Sequence, residues 1–259
     1  MPMIEPNGTQ INVEVSGRDG APALMLSNSL GTNLHMWDAQ ADELARHFRL
    51  IRYARRGHGK SAVPKGPYTM ETLGRDVLGI LDVLKIKKTN WCGLSMGGMV
   101  GQWLGANAPA RMEKMVLSNC TDYYADKTPW NDRIKTIRDK GLAVIVGPNM
   151  ERWFTKPFRD SHAQAIEKFT RDFLATSLDG YIACGEAVRD MDHRTFLPNI
   201  KPPVMIIAGR QDPATTLAMG ESMRDRIPDA KLAVLDAAHI SNVEQPKAYT
   251  ETVLKFLNG

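Results

Sequence analysis

Cysteine is scarce in this chain: three among 259 residues, Cys92, Cys120 and Cys184. An odd, widely spaced set builds neither a disulfide framework nor a zinc site. Free thiols in a reducing compartment are expected, with no metal. An excess of either charge is also missing. The 33 Lys and Arg against 29 Asp and Glu leave a formal charge of +4, too small and scattered to argue for nucleic acid. Two basic clusters stand out: Arg52, Arg55, Arg56 and Lys60, then Lys85, Lys87 and Lys88. Neither is interleaved with stacking aromatics, so both read as solvated or loop-structural residues. No run approaches the roughly 18 apolar residues of a membrane helix. Met1-Pro2-Met3-Ile4-Glu5 lacks the basic start and apolar stretch of a signal peptide, so the cytoplasm is the expected location. What is present is a hydrophobic fraction of 43%, enough to fold, in a length that suits one large domain or a domain carrying an insertion.

The first third alternates strand and helix signals. Thr9–Ser16 alternates, Ala23–Ser27 and Phe48–Tyr53 are short apolar runs, and Met36–His47 has helical periodicity. Met70–Leu84 repeats apolar residues at helical spacing behind Thr69, a suitable N-cap. Asn90–Leu94, Met96–Asn107 and Lys114–Ser118 then read as strand, helix and strand. This alternation predicts an α/β protein with a mostly parallel sheet and helices on both faces. From Thr121 to Pro198 the rhythm breaks. Only helical patterns occur there, around Asn131–Lys140, Ala163–Ser177 and Gly180–Met191. Strands resume at Pro203–Gly209, around the apolar Val204–Ile207, and at Lys231–Leu235, with helices near Thr216–Arg226 and Lys247–Leu257. The expected organisation is therefore a core of residues 1–120 and 199–259, with residues 121–198 forming a helical cap or lid over the strand ends.

Gly93-Leu94-Ser95-Met96-Gly97 carries a G-x-S-x-G pattern between an apolar strand and a helix. That setting is the one in which a sharp turn exposes a nucleophilic serine. The helix start places the Met96 N–H and a positive dipole end beside Ser95, where an oxyanion would develop. A serine hydroxyl needs a base. Of six histidines, only His239 follows the final strand, at the end of the sheet where Ser95 is expected. The imidazole needs an acid to hold its tautomer. Asp212, in the Gly209–Pro213 turn after the penultimate strand, is the first choice, with Asp236 as the fallback. A second oxyanion donor is expected from the loop Asn28–Asn33, with Leu30 N–H favoured and Gly31 giving the backbone room to turn.

These residues resemble the α/β-hydrolase superfamily, whose members run in the order serine, acid, histidine. The resemblance is carried by the serine turn, Asp212-Pro213, His239-Ile240-Ser241-Asn242-Val243-Glu244 and Arg55-Arg56-Gly57-His58-Gly59-Lys60-Ser61. Leu26–Thr32, Arg152-Trp153-Phe154-Thr155, Gly180-Tyr181 and Arg189-Asp190-Met191-Asp192 further resemble the 3-oxoadipate enol-lactonases of bacterial aromatic catabolism. The resemblance implies a Ser95–His239–Asp212 triad with Leu30 and Met96 as oxyanion donors. It also implies an acid where this chain has Ala54, which would leave Arg55 and Arg56 without their local carboxylate. The expected activity is opening of a small carboxylated lactone through an acyl-enzyme, without cofactor. Arg133 is a candidate for the substrate carboxylate, and Trp130 and Trp153 wall the pocket or anchor the cap. A general carboxylesterase or cofactor-free perhydrolase with the same triad, and a ligand receptor with little turnover, remain open alternatives.

Overall fold

The computed structural model describes residues 3–259, so Met1 and Pro2 of the N-terminal stretch lie outside the described residues. Eight strands form one sheet: β1 Met3–Ile4, β2 Ile11–Ser16, β3 Ala23–Ser27, β4 Arg49–Ala54, β5 Thr89–Leu94, β6 Met112–Ser118, β7 Val204–Gly209 and β8 Lys231–Leu235. Their order is β1-β2-β4-β3-β5-β6-β7-β8. β1 and β2 pair antiparallel at one edge, and every pairing from β4 to β8 is parallel. The chain winds outward in both directions from β3 and β5. The loops after their carboxyl ends therefore diverge and leave a crevice, the usual ligand position in such sheets.

Four helices belong to the first half: α1 Asp38–His47, α2 Met70–Val83, α3 Met96–Asn107 and, beyond β6, α4 Thr128–Lys140. The Thr69 hydroxyl caps α2 by accepting from Thr72 N–H, as the sequence predicts. Between β6 and β7, α4 is joined by α5 Val146–Trp153, α6 Lys156–Ser161, α7 Ala163–Leu174 and α8 Leu178–Asp190. Neither α5 nor α6 is anticipated from the sequence. Gly147-Pro148 reads as a break, yet Pro148 lies in the first turn of α5, where a helix needs no N–H from it. The remaining helices are α9 Leu217–Arg226, the short α10 Ser241–Glu244 and α11 Pro246–Asn258.

Helices cover both faces because adjacent residues on a buried strand point opposite ways. In β5, the Trp91 indole donates to the Gly97 carbonyl of α3 at 3.2 Å, while the neighbouring Cys92 thiol meets Tyr249 of α11 at 3.4 Å. All six residues of β5 are buried, as the central strand of a doubly covered sheet requires. The three cysteines are free and buried, and burial pushes each thiol up to about 12. No helix among the described residues is long and apolar enough to cross a membrane.

Candidate active site

Ser95 is the residue between β5 and α3, with φ 57° and ψ −119°. A side chain other than glycine held there costs about 1–3 kcal/mol, which the surroundings must supply. They do so with backbone bonds: Ser95 N–H donates to the Ser118 carbonyl at 2.8 Å, and the Ser95 carbonyl accepts from Met99 N–H at 3.0 Å. The turn is tight enough that a Cβ on Gly97 would lie 2.1 Å from the Ser27 carbonyl oxygen. Glycine is required there by space rather than by φ.

Asp212 and His239 sit in the loops after β7 and β8. His239 Nδ1 donates to Asp212 Oδ2 at 2.8 Å, and both residues are buried. Asp212 accepts four more bonds, from Asn119 Nδ2 (2.9 Å), Thr215 Oγ1 (2.7 Å) and the N–H groups of Ala214 (2.8 Å) and Thr215 (3.0 Å). Burial opposes ionisation of Asp212, but the His239 charge and bond, with Asn119 and Thr215, outweigh it and hold the carboxyl below its usual value. Asp236 is exposed and accepts from Gln211 at 2.8 Å. It engages a surface amide, so the fallback acid is not the partner of His239.

The His239 loop is also tied to the helices above the sheet. Glu244 Oε2 accepts from Ala238 N–H at 2.5 Å, while its Oε1 accepts from Thr155 N–H at 2.9 Å and Thr155 Oγ1 at 2.7 Å. Ile240 N–H donates to the Trp153 carbonyl at 2.9 Å. The start of α6 and the imidazole loop are thus held in one register.

Ser95, Met96, Leu30 and His239 line one cavity of about 300 Å³, together with Trp130, Arg133 and Trp153. That volume is at the small end for ligand sites. Neither Leu30 N–H nor Met96 N–H has a hydrogen-bond partner among the described residues. Two free N–H groups beside a serine, with a carboxylate-oriented imidazole on the same cavity, are the parts that acyl transfer needs.

The α/β hydrolase fold family matches residues 22–140. Over 251 residues, 96% of this chain and 94% of the relative, the sequence is 41% identical to 3-oxoadipate enol-lactonase 2 of Acinetobacter baylyi. Enol-lactonase 1 of the same organism is 36% identical over 97% of this chain and 94% of its own length. The chain belongs to the α/β-hydrolase family. The crystal structure of the enol-lactonase from Burkholderia xenovorans LB400 superposes with a TM-score of 0.98 at 40% identity, covering 100% of both chains. This α/β hydrolase is a hydrolytic enzyme by kinship as well as by fold.

The far wall of the cavity brings Arg133, Trp130 and Trp153, which the sequence singled out, together with Asn149, Arg152 and Tyr181, which it did not. Arg133 Nε donates to the Tyr181 hydroxyl at 2.9 Å, and its Nη2 donates to Asn149 Oδ1 at 2.5 Å. Arg152 Nη2 donates to the same Asn149 oxygen at 2.7 Å. Both arginines end on neutral acceptors, and neither has a carboxylate within ion-pair distance among the described residues. Asn149, Arg152 and Trp153 share one face of α5 through i, i+3 and i+4 spacing, a signal visible only once that helix is recognised. Trp130 stacks within reach of the Arg133 guanidinium, 5.7 Å from ring centroid to Cζ. Trp153 does two jobs: it faces the cavity and packs edge-on against Phe169 and Phe173 in the cap core.

The expectation about Ala54 holds for Arg55, which has no carboxylate in contact, and is corrected for Arg56. Arg56 does have a carboxylate, because its Nε donates to Asp76 Oδ2 of α2 at 2.6 Å. The Ala54 Cβ lies beside Gly59, and the Arg55 guanidinium reaches the Asn28 carbonyl. Of the two readings of the basic cluster, Arg55 and Arg56 take the loop-structural one, at 2% and 7% exposed, while Lys60 is solvated.

Proposed function

We propose that this enzyme opens a small carboxylated lactone, 3-oxoadipate enol-lactone, to 3-oxoadipate through an acyl-enzyme on Ser95. The observation that carries the substrate class is the cavity itself, with Ser95 and His239 on one wall and two guanidinium groups without carboxylates, Arg133 and Arg152, on another. A carboxylate on the substrate supplies the missing charge and fixes which end of the molecule meets the serine. The names of the full-length relatives support the same substrate.

In this reading His239 takes the Ser95 proton as the hydroxyl adds to the lactone carbonyl. Asp212 holds the imidazole tautomer and stabilises the imidazolium. Leu30 and Met96 N–H groups receive the oxyanion. Collapse breaks the ring C–O bond, the enol oxygen takes the proton from His239, and the enol becomes the ketone while tethered to the acyl group. Water, giving its proton to His239, adds to the acyl carbonyl and releases Ser95 and the dicarboxylate. The helical segment 121–198 acts as the cap that supplies Arg133, Trp130 and Trp153. Three unpaired cysteines suit a reducing compartment such as the cytoplasm.

The test compares hydrolysis of the enol-lactone with that of p-nitrophenyl acetate. The expected kcat/KM advantage of the lactone is about 10–100-fold, the order supplied by one charge-assisted hydrogen bond. Equal rates on both, with no effect of Arg133→Met, would assign the enzyme to general esterases instead.

A further inference from the structure

The loop that carries Leu30 is braced partly by itself. Asn28 Nδ2 donates to the Thr32 carbonyl at 2.7 Å, and Thr32 Oγ1 donates to the Ser29 carbonyl at 2.9 Å. Two further bonds reach it from the segment Arg55–His58. Arg55 Nη2 donates to the Asn28 carbonyl, and Gly31 N–H donates to His58 Nε2 at 3.0 Å. Leu30 lies between the two anchored residues and its own N–H remains unclaimed.

Both anchors are unusual for buried groups. Arg55 has no carboxylate in contact, and its Nε and Nη1 have no partner at all. Its charge is therefore directed mainly at one carbonyl. His58 is 1% exposed, and burial together with the Arg55 charge pushes its imidazole down to about 3. At neutral pH the ring is uncharged, and Nε2 keeps the lone pair that Gly31 N–H needs. The segment below is itself fixed by the Arg56–Asp76 pair and by Gly57 N–H donating to the Ala62 carbonyl at 2.8 Å. From above, α8 seats directly on it: a Cβ on Gly57 would lie 2.5 Å from the Gly180 Cα, and Gly57 has φ +77°.

We propose that Arg55 and His58 are positioning residues for the oxyanion hole. The guanidinium fixes the Asn28 carbonyl, the imidazole fixes the Gly31 N–H, and the Leu30 N–H between them is held ready for the developing charge. The inference rests on the reading of Ser95 as nucleophile and of Leu30 as an oxyanion donor.

The experiment compares His58→Phe with His58→Gln. Phenylalanine fills the space and leaves Gly31 N–H unpaired, whereas the Gln Oε1 returns an acceptor near the place of Nε2. For each variant, kcat and KM are measured on the enol-lactone. Affinity is measured for two probes: an alkyl boronic acid, whose boron accepts the Ser95 oxygen to form a tetrahedral adduct, and adipate, which has no tetrahedral centre. His58→Phe should lower kcat and boronate affinity in parallel, by about 10–100-fold, since removing an oxyanion donor outright costs about 10²–10³ and misplacing one costs less. KM and adipate affinity should stay within about twofold, and His58→Gln should recover most of the loss. Wild-type kcat and boronate affinity in His58→Phe would overturn the proposal. So would a glutamine variant no better than phenylalanine, which is the result of a pure packing role. If His58→Phe does not fold, Arg55→Met against Arg55→Lys decides: methionine should lower kcat and boronate affinity together, lysine should restore them, and no difference would overturn the proposal. A wild-type enzyme that forms no boronate adduct and keeps its activity as Ser95→Ala defeats the reading of Ser95 itself. An intact adduct that is indifferent to position 58 defeats only this inference.

Discussion

The end of the sheet and the helices above it handle charge in opposite ways. Below, Asp212 receives five hydrogen bonds and shares its charge with His239, so the carboxylate is fully committed within the protein. Above, Arg133 and Arg152 converge on one neutral amide oxygen of Asn149, and their charge is unspent. In the proposed reaction the first arrangement sets the proton-transfer geometry whatever molecule enters. The second would offer its charge to an anionic substrate. Changes below should therefore move kcat on every substrate, and changes above should move selectivity.

The largest expected effects break the lower half. Ser95→Ala and His239→Ala should each cut kcat by on the order of 10⁴–10⁶, with the fold retained, on lactone and neutral ester alike. The double variant should be hardly worse than either, because a nucleophile and its base act as one unit. Losses that multiply would show two independent contributions. Asp212→Asn should cost less, on the order of 10³–10⁴ in kcat, through the wrong imidazole tautomer. Asp236→Asn should leave kcat alone, since its carboxylate is on the surface with Gln211. A strong Asp236 effect with a mild Asp212 effect would reverse the assignment of the acid.

Effects above should be smaller and selective. Arg133→Met and Arg152→Met should each raise KM for the carboxylated lactone by about 10–100-fold, the worth of a charge-assisted hydrogen bond. The rate on p-nitrophenyl acetate should hold. If the neutral ester suffers equally, the arginines serve to build the cap around Asn149 and Tyr181, and the contrast between the two halves fails.

The same contrast governs what could be read from the sequence. The lower half is written locally: strand, turn and helix follow one another around Ser95, and Met96–Asn107 and Lys231–Leu235 form a helix and a strand at the bounds read from the sequence. Asp212 and His239 are placed by which strand they follow, which topology alone decides. The upper half depends on contacts between residues far apart in the chain. Arg133 finds Tyr181 on another helix, and Asn149 is visible only if α5 is extended through Gly147-Pro148. The basic loop stays undecided in the sequence for a similar reason. Solvated and structural arginines look alike there because the partners, Asp76 and the Asn28 carbonyl, are supplied by other elements. Nothing at Ala54 signals that Arg56 is already paired.

The smallest expected effect concerns stability, and it appears only in acid. Two histidines are buried uncharged: His58 under the Leu30 loop, and His193 where the cap returns to the core, its Nδ1 3.0 Å from Gln102 Oε1. Burial holds His58 down to about 3 and His193 to about 4, whereas both titrate near the ordinary 6.5 once unfolded. Between those values the unfolded chain binds more protons than the folded one, so stability must fall as pH falls through this window. At pH 4.5 each histidine should account for about 2–3 kcal/mol of the loss relative to pH 7.5. The check is urea unfolding at both pH values for the wild type, His58→Gln and His193→Gln. Each variant should show a flatter acid slope by roughly one proton, whatever its stability at pH 7.5. If His193→Gln flattens the slope and His58→Gln does not, the imidazole beneath the oxyanion loop is protonated in the folded state. It could then no longer accept from Gly31, and the support it is assigned would be lost below neutral pH.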